Sequence, residues 1–118
     1  MDTVKDLLEI IPYGKNSAQS AKQLYEAGTY KMGLDTFKRQ IRFLASEARK
    51  LSHRVIGDDS GYYLAMNEKE WKDYCTRRFA AIKDELVSLA GAERIAVQDI
   101  IKIVYAVNVN DKNYHLGL

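Results

Sequence analysis

Arg39 and Arg42 lie three residues apart in the segment 34–50, with Thr36 and Lys38 just ahead of Arg42. Residues at that spacing share a helix face, so on a helix both guanidiniums can point into one groove. A guanidinium is a planar fork of donors that matches guanine edges or phosphate oxygens. Ser46, Arg49 and Lys50 extend the same face, and Lys15 and Lys31 stand in the flanking loops, where they could add phosphate contacts. On an isolated helix such a stripe is an ordinary solvated face, and Glu47 interrupts it. Its meaning depends on the fold that presents it.

Other chemistry is thinly supplied. Cys75 is the only cysteine and has no histidine at helical spacing, so it reads as a buried structural thiol rather than a nucleophile. His53 and His115 belong to no ligand cluster, which argues against zinc. Asp58-Asp59 lack the further oxygens of a cation site and read as turn residues. Trp71, Tyr74 and Phe79 fall on one helical face, where core packing is a better account than base stacking. With no Gly-rich phosphate loop, Ser/His/Asp set or paired carboxylates, the expectation is no enzyme, no cofactor and no metal.

The 118 residues suit one domain able to bury a core without disulfides. Hydrophobic residues make up 47% and charged residues 29%, and the net charge of +2 does not by itself announce a nucleic-acid binder. "MDTVKDLLEII" lacks the basic start and long apolar run of a signal peptide, and no apolar run could span a bilayer. A cytoplasmic protein without membrane contact is expected.

The elements follow from periodicity and breakers. Val4, Leu7, Leu8 and Ile11 make a first helix over 3–11, ended by Pro12. Asn16 and Gln19 resemble a capping box opening a second helix to about Ala27, with Ala18, Ala21, Leu24 and Tyr25 inward and Gly28 at C′. A third helix spans 34–50 with Phe37, Ile41, Leu44, Ala48 and Leu51 as its buried stripe. "RVIGDDSGYYLA" then reads as a hairpin, with 54–56 and 62–65 flanking the turn 57–61. Asn67 and Glu70 form a second capping-box pattern for a long helix ending at Gly91, with Trp71, Cys75, Phe79, Ile82, Leu86 and Leu89 as its stripe. The last helix, about 96–107, is apolar on most sides: Val97, Ile100, Ile101, Ile103, Val104 and Val107.

A lone hairpin is barely stable in water. Three helices followed at once by a hairpin solve that problem if one hairpin face packs on the helical core, as in a winged helix-turn-helix. The strings "IPYGKNSAQSAKQL" and "SGYYLAMNEKEWKDY", in this order around the third helix, resemble small winged-helix domains of phage and prophage proteins. The resemblance covers about residues 8–82. It implies double-stranded DNA binding in phage transcription regulation or replication, in a bacterial cytoplasm, without catalysis. Two departures stand out: the connector "GTYKMGLDT" is long, and the acidic Asp58-Asp59 occupies the wing tip where a phosphate-contacting wing carries Arg or Lys.

The expected fold is therefore mainly α with one β-hairpin: a winged helix-turn-helix over 1–66, and a helical extension over 67–118 packed on it. Thr36, Lys38, Arg39, Arg42, Lys15, Lys31 and Arg49 are the candidate DNA-binding residues. The alternative is a protein-interaction adaptor on the same scaffold, using the acidic wing and the apolar last helix. That helix is expected to be buried on more than one side, either against the long helix and Leu7, Leu8 and Ile11 of the first helix or, the favoured outcome, in a homodimer through the C-terminal helices.

Overall fold

The computed structural model describes residues 1–93 together with 96, 98, 99, 101 and 102. The protein is mainly helical with one two-stranded antiparallel hairpin. It divides into two units, Met1–Cys75 and Thr76–Leu118.

The first unit starts with α1, Val4–Ile10. Thr3 caps it: its hydroxyl accepts from the Asp6 N–H at 3.2 Å, and the Asp6 carboxylate accepts from the Thr3 N–H at 3.1 Å. The chain then runs through a short 3-10 turn, Lys15–Ser17, into α2, Ala21–Ala27. Here the structure corrects the sequence reading. The helix opens at Ser20, whose hydroxyl and Gln23 form the capping box, and Asn16 sits in the 3-10 turn. Residues 18–19 are drawn off because Gln19 exchanges both backbone hydrogen bonds with Tyr62, at 2.8 and 3.3 Å. A long-range β-bridge outcompetes the local cap. Gly28 closes α2 in extended rather than left-handed backbone, and a Cβ there would meet the Tyr30 ring at 2.6 Å.

That space matters, because Tyr30 folds back onto the core. Its ring centroid lies 5.8 Å from Tyr25 and 4.6 Å from Phe37, and the Tyr25 hydroxyl donates to the Met32 carbonyl at 2.8 Å. The long connector is thereby pinned, which sets where α3, Leu34–Lys50, begins. Phe37, Ile41, Leu44, Ala45 and Ala48 are its buried face and join Leu7, Ile11, Leu24 and Val55 in one core. Leu51, placed in the stripe from sequence, is the C-cap and 63% exposed.

Ser52, at φ 72°, ends α3 by turning the chain left-handed. The His53 N–H then reaches the Ala48 carbonyl and the Ser52 N–H reaches that of Arg49, a Schellman closure made without glycine. This turn delivers the hairpin: β1, Val55–Asp58, pairs with β2, Gly61–Leu64, in the register Val55 to Leu64 and Asp58 to Gly61. The loop is two residues, not the five expected, because Gly57 and Asp58 continue the strand. The Asp58 carboxylate accepts from the Ser60 N–H at 2.8 Å and from the Tyr63 hydroxyl at 3.0 Å, which ties the tip.

Both faces of the hairpin are covered, where one was expected. Val55, Tyr62 and Leu64 pack on the helical core, while Ile56 and Tyr63 pack with Tyr74, Trp71 and Cys75 from the following helix. The outer edge of β2 is also occupied: Leu64 N–H donates to the Pro12 carbonyl at 2.8 Å and Gly14 N–H to the Leu64 carbonyl at 2.9 Å. Fully burying each of Val55, Ile56 and Tyr63 is worth about 1.5–3 kcal/mol, enough to hold a hairpin that would not stand alone.

The last described helix, α4, spans Glu68–Glu93, beginning in the first unit and continuing in the second. Asn67 caps it, accepting from the Glu70 N–H at 2.9 Å. The reciprocal half of the expected box is absent. Glu70 instead accepts from the Met66 N–H at 2.8 Å and from the Lys15 N–H at 3.0 Å, so it fastens the IPYGKN loop to the start of α4. Gly91 lies inside the helix rather than ending it. Within the second unit Phe79, Ile82 and Leu89 are exposed and Ala90 is buried, so core packing does not account for Phe79. Of the expected last helix, Gln98, Asp99, Ile101 and Lys102 are helical and Ala96 is not; residues 97, 100 and 103–107, and a dimer through that helix, lie outside the described residues.

Candidate nucleic-acid interface

Every candidate cation on α3 is placed by the burial of Phe37, Ile41, Leu44 and Ala48, which turns the opposite side of the helix outward. At about 100° per residue, Lys38, Arg42 and Arg49 lie within roughly 40° of one another on one flank. Arg39 lies about 60° from Arg42, on the outward side, and Thr36 about 120° from it, on the other flank. Arg39, Arg42 and Thr36 are exposed, and Lys38 is half-buried.

The flank of Arg42 and Arg49 faces the hairpin. The Arg49 Nε donates to the Val55 carbonyl at 2.7 Å, and its guanidinium lies 5.5 Å from the Tyr74 ring centroid. Arg49 thus joins α3, β1 and α4, which occupies the guanidinium that the sequence put on the open basic face. Burial pushes the Tyr62 hydroxyl above its ordinary pKa of 10.0, against the pull of the Arg42 and Arg49 charges. Arg42 shares the flank of α3 that Arg49 ties to β1, and it remains exposed.

Lys15 and Lys31 are both exposed and come from other segments. Lys15 sits in the 3-10 turn clamped by Glu70, and Lys31 in the connector ahead of α3. Negative charge also enters the face. Asp35 lies in the first turn of α3, one turn before Arg39, where the helix dipole favours it. Glu47 pairs with Lys50 at 3.1 Å, which removes much of the free charge at that end.

Two features escaped the sequence reading. Phe43 is 63% exposed on α3, and its signal was there: it falls outside the spacing of the buried stripe. Tyr13 and Met66, 65% and 64% exposed, flank the Gly14–Lys15 loop, which only the fold brings to Met66. Among the described residues no group of His, Cys, Asp and Glu could hold a metal ion, and no helix is long and apolar enough to cross a membrane.

The architecture defines a class, a mainly helical domain with one hairpin braced on both faces, whose third helix exposes arginines. No protein-family model, curated protein or solved structure matches the chain.

Proposed function

We propose that the protein is a winged helix-turn-helix that binds double-stranded DNA through α3, in phage-type transcription regulation or replication. The observation that carries this reading is the exposed Arg39–Arg42 pair on the helix that leads directly into the hairpin. α3 enters the major groove with Arg39 foremost; Arg42, Lys38 and Lys31 contact phosphates, and Thr36 contacts a base edge or sugar. Lys15 adds a backbone contact from its loop. Arg49 acts as a positioning residue, holding α3 against β1. Asp59, exposed at the wing tip, leaves the wing as a brace rather than a phosphate clamp.

The test is fluorescence anisotropy of mixed-sequence duplexes titrated with the full chain at low and moderate salt. Binding at micromolar protein that weakens steeply with salt supports the reading, and no binding in 50 mM salt, a level on the scale of the usual non-specific assays, refutes it. The second reading, an adaptor that binds another protein, draws on the exposed Phe43, Tyr13 and Met66. Nuclease-treated pull-downs separate the two, since a protein partner survives loss of DNA.

A further inference from the structure

We propose that Phe43 selects a thymine, its ring meeting the C5-methyl group of that base in the major groove. This rests on the DNA reading of α3 and names what the helix reads there. Phe37, Ile41 and Leu44 of the same helix are buried, whereas Phe43 is 63% exposed. Among the described residues of α3 it is the only large apolar side chain left exposed. A lone apolar group on a surface is common, so its place has to carry the argument. Thr36, Arg39 and Phe43 are all exposed and stand three and four positions apart, one row along the helix. At about 100° per residue Phe43 lies roughly 40° from Arg39 and 20° from Thr36. That row points away from the buried stripe, on the side that would enter the groove.

The surroundings select the occupant. Arg39 stands one turn before Phe43, Arg42 beside it and Ser46 nearly one turn after, all exposed. Glu47, also one turn on, pairs with Lys50 at 3.1 Å. A single ring among guanidiniums is too small for a broad apolar face. It suits a polyanion that offers isolated apolar points. The major groove is such a surface: hydrogen-bonding base edges line its floor, and its apolar feature is the thymine methyl. Contact between that methyl and a Phe ring distinguishes thymine from the other bases. Arg39 and Phe43 are about 6 Å apart along the helix, or roughly two base-pair steps. The thymine therefore lies within about two base pairs of the nucleotide that Arg39 meets.

Selection of duplexes from a randomised pool by the full chain supplies the probe. Each thymine of the selected site is then replaced singly by deoxyuridine, which removes only the methyl group. One replacement should weaken wild-type binding about fourfold, the effect of one buried methyl group. Phe43→Ala should bind the thymine and deoxyuridine forms of that duplex equally, with unchanged helical circular dichroism because the ring is exposed. Phe43→Gln, also a good helix former, takes the same test if Phe43→Ala does not fold. Salt-dependent duplex binding in which deoxyuridine is tolerated at every position would overturn this proposal and leave the DNA reading standing. A methyl effect that persists without the Phe43 ring would do the same. Failure to bind any duplex would instead remove the DNA reading, and this proposal with it.

Discussion

Arg39 and Glu70 act in opposite ways, one outward and one inward. Arg39 is exposed and owes nothing to the fold, so Arg39→Ala should leave the melting temperature unchanged. If it reads a base, the substitution should cost about 1–3 kcal/mol of DNA affinity and relax specificity at one position. If it meets a phosphate, the loss should be uniform across sequences and the salt slope should flatten by about one unit. Anisotropy across a set of duplexes distinguishes these. Glu70 turns to the chain itself, and its carboxylate is held below the ordinary 4.5 by the N–H groups of Lys15 and Met66. A depressed carboxylate stabilises the fold above its unfolded pKa, and that stability is lost as pH falls through the folded one. Glu70→Gln should therefore lower the melting temperature at neutral pH. The gap from wild type should narrow as acidification protonates Glu70, below the ordinary carboxylate range, because wild type then loses the same charge. A gap that stays constant with pH would show that the charge of Glu70 does not matter.

Elements were legible wherever a pattern was local. The stripe Phe37, Ile41, Leu44 and Ala48, together with its breakers, gave α3 its observed bounds, and the two β-prone runs around turn residues marked the hairpin. Reading failed where a distant segment settled a local choice. Asn16 and Gln19 have the spacing of a capping box, but Tyr62 claims Gln19 and the helix starts at Ser20. Arg49 looks like its neighbour Lys50 until the Val55 carbonyl is in place. Backbone geometry was hidden in the same way. Ser52 holds a left-handed position that glycine adopts without strain, so Ser52→Gly should raise stability by about 0.5–1 kcal/mol. Gly61, at φ 115°, is the reverse: a Cβ there would meet the Gln19 carbonyl carbon at 2.5 Å. Gly61→Ala should therefore cost about 2 kcal/mol or more and detach residues 18–19 from β2. Urea unfolding measures both. Equal effects of the two substitutions would contradict this account of the turn and the bridge.

For the whole molecule, the small net charge and the basic surface are compatible because the charges are sorted rather than abundant. Glu47, Glu68 and Asp73 are engaged with Lys50, Arg54 and Lys69, while Arg39 and Arg42 are exposed on α3, Lys31 in the connector ahead of it and Lys15 in the 3-10 turn. Composition alone could not reveal that sorting, since it depends on which cation each carboxylate meets. It does set a measurable quantity. With Lys15, Lys31, Lys38 and Arg42 on phosphates, each protomer releases about four counterions, a slope of roughly −3 to −4 in log affinity against log salt. Titrating a long duplex with the full chain over a salt series tests this directly. A slope of about −3.5 would support the four phosphate contacts, and one of about −7 would mean that two copies grip the same duplex at once. A slope near zero would mean that these cations meet no phosphate.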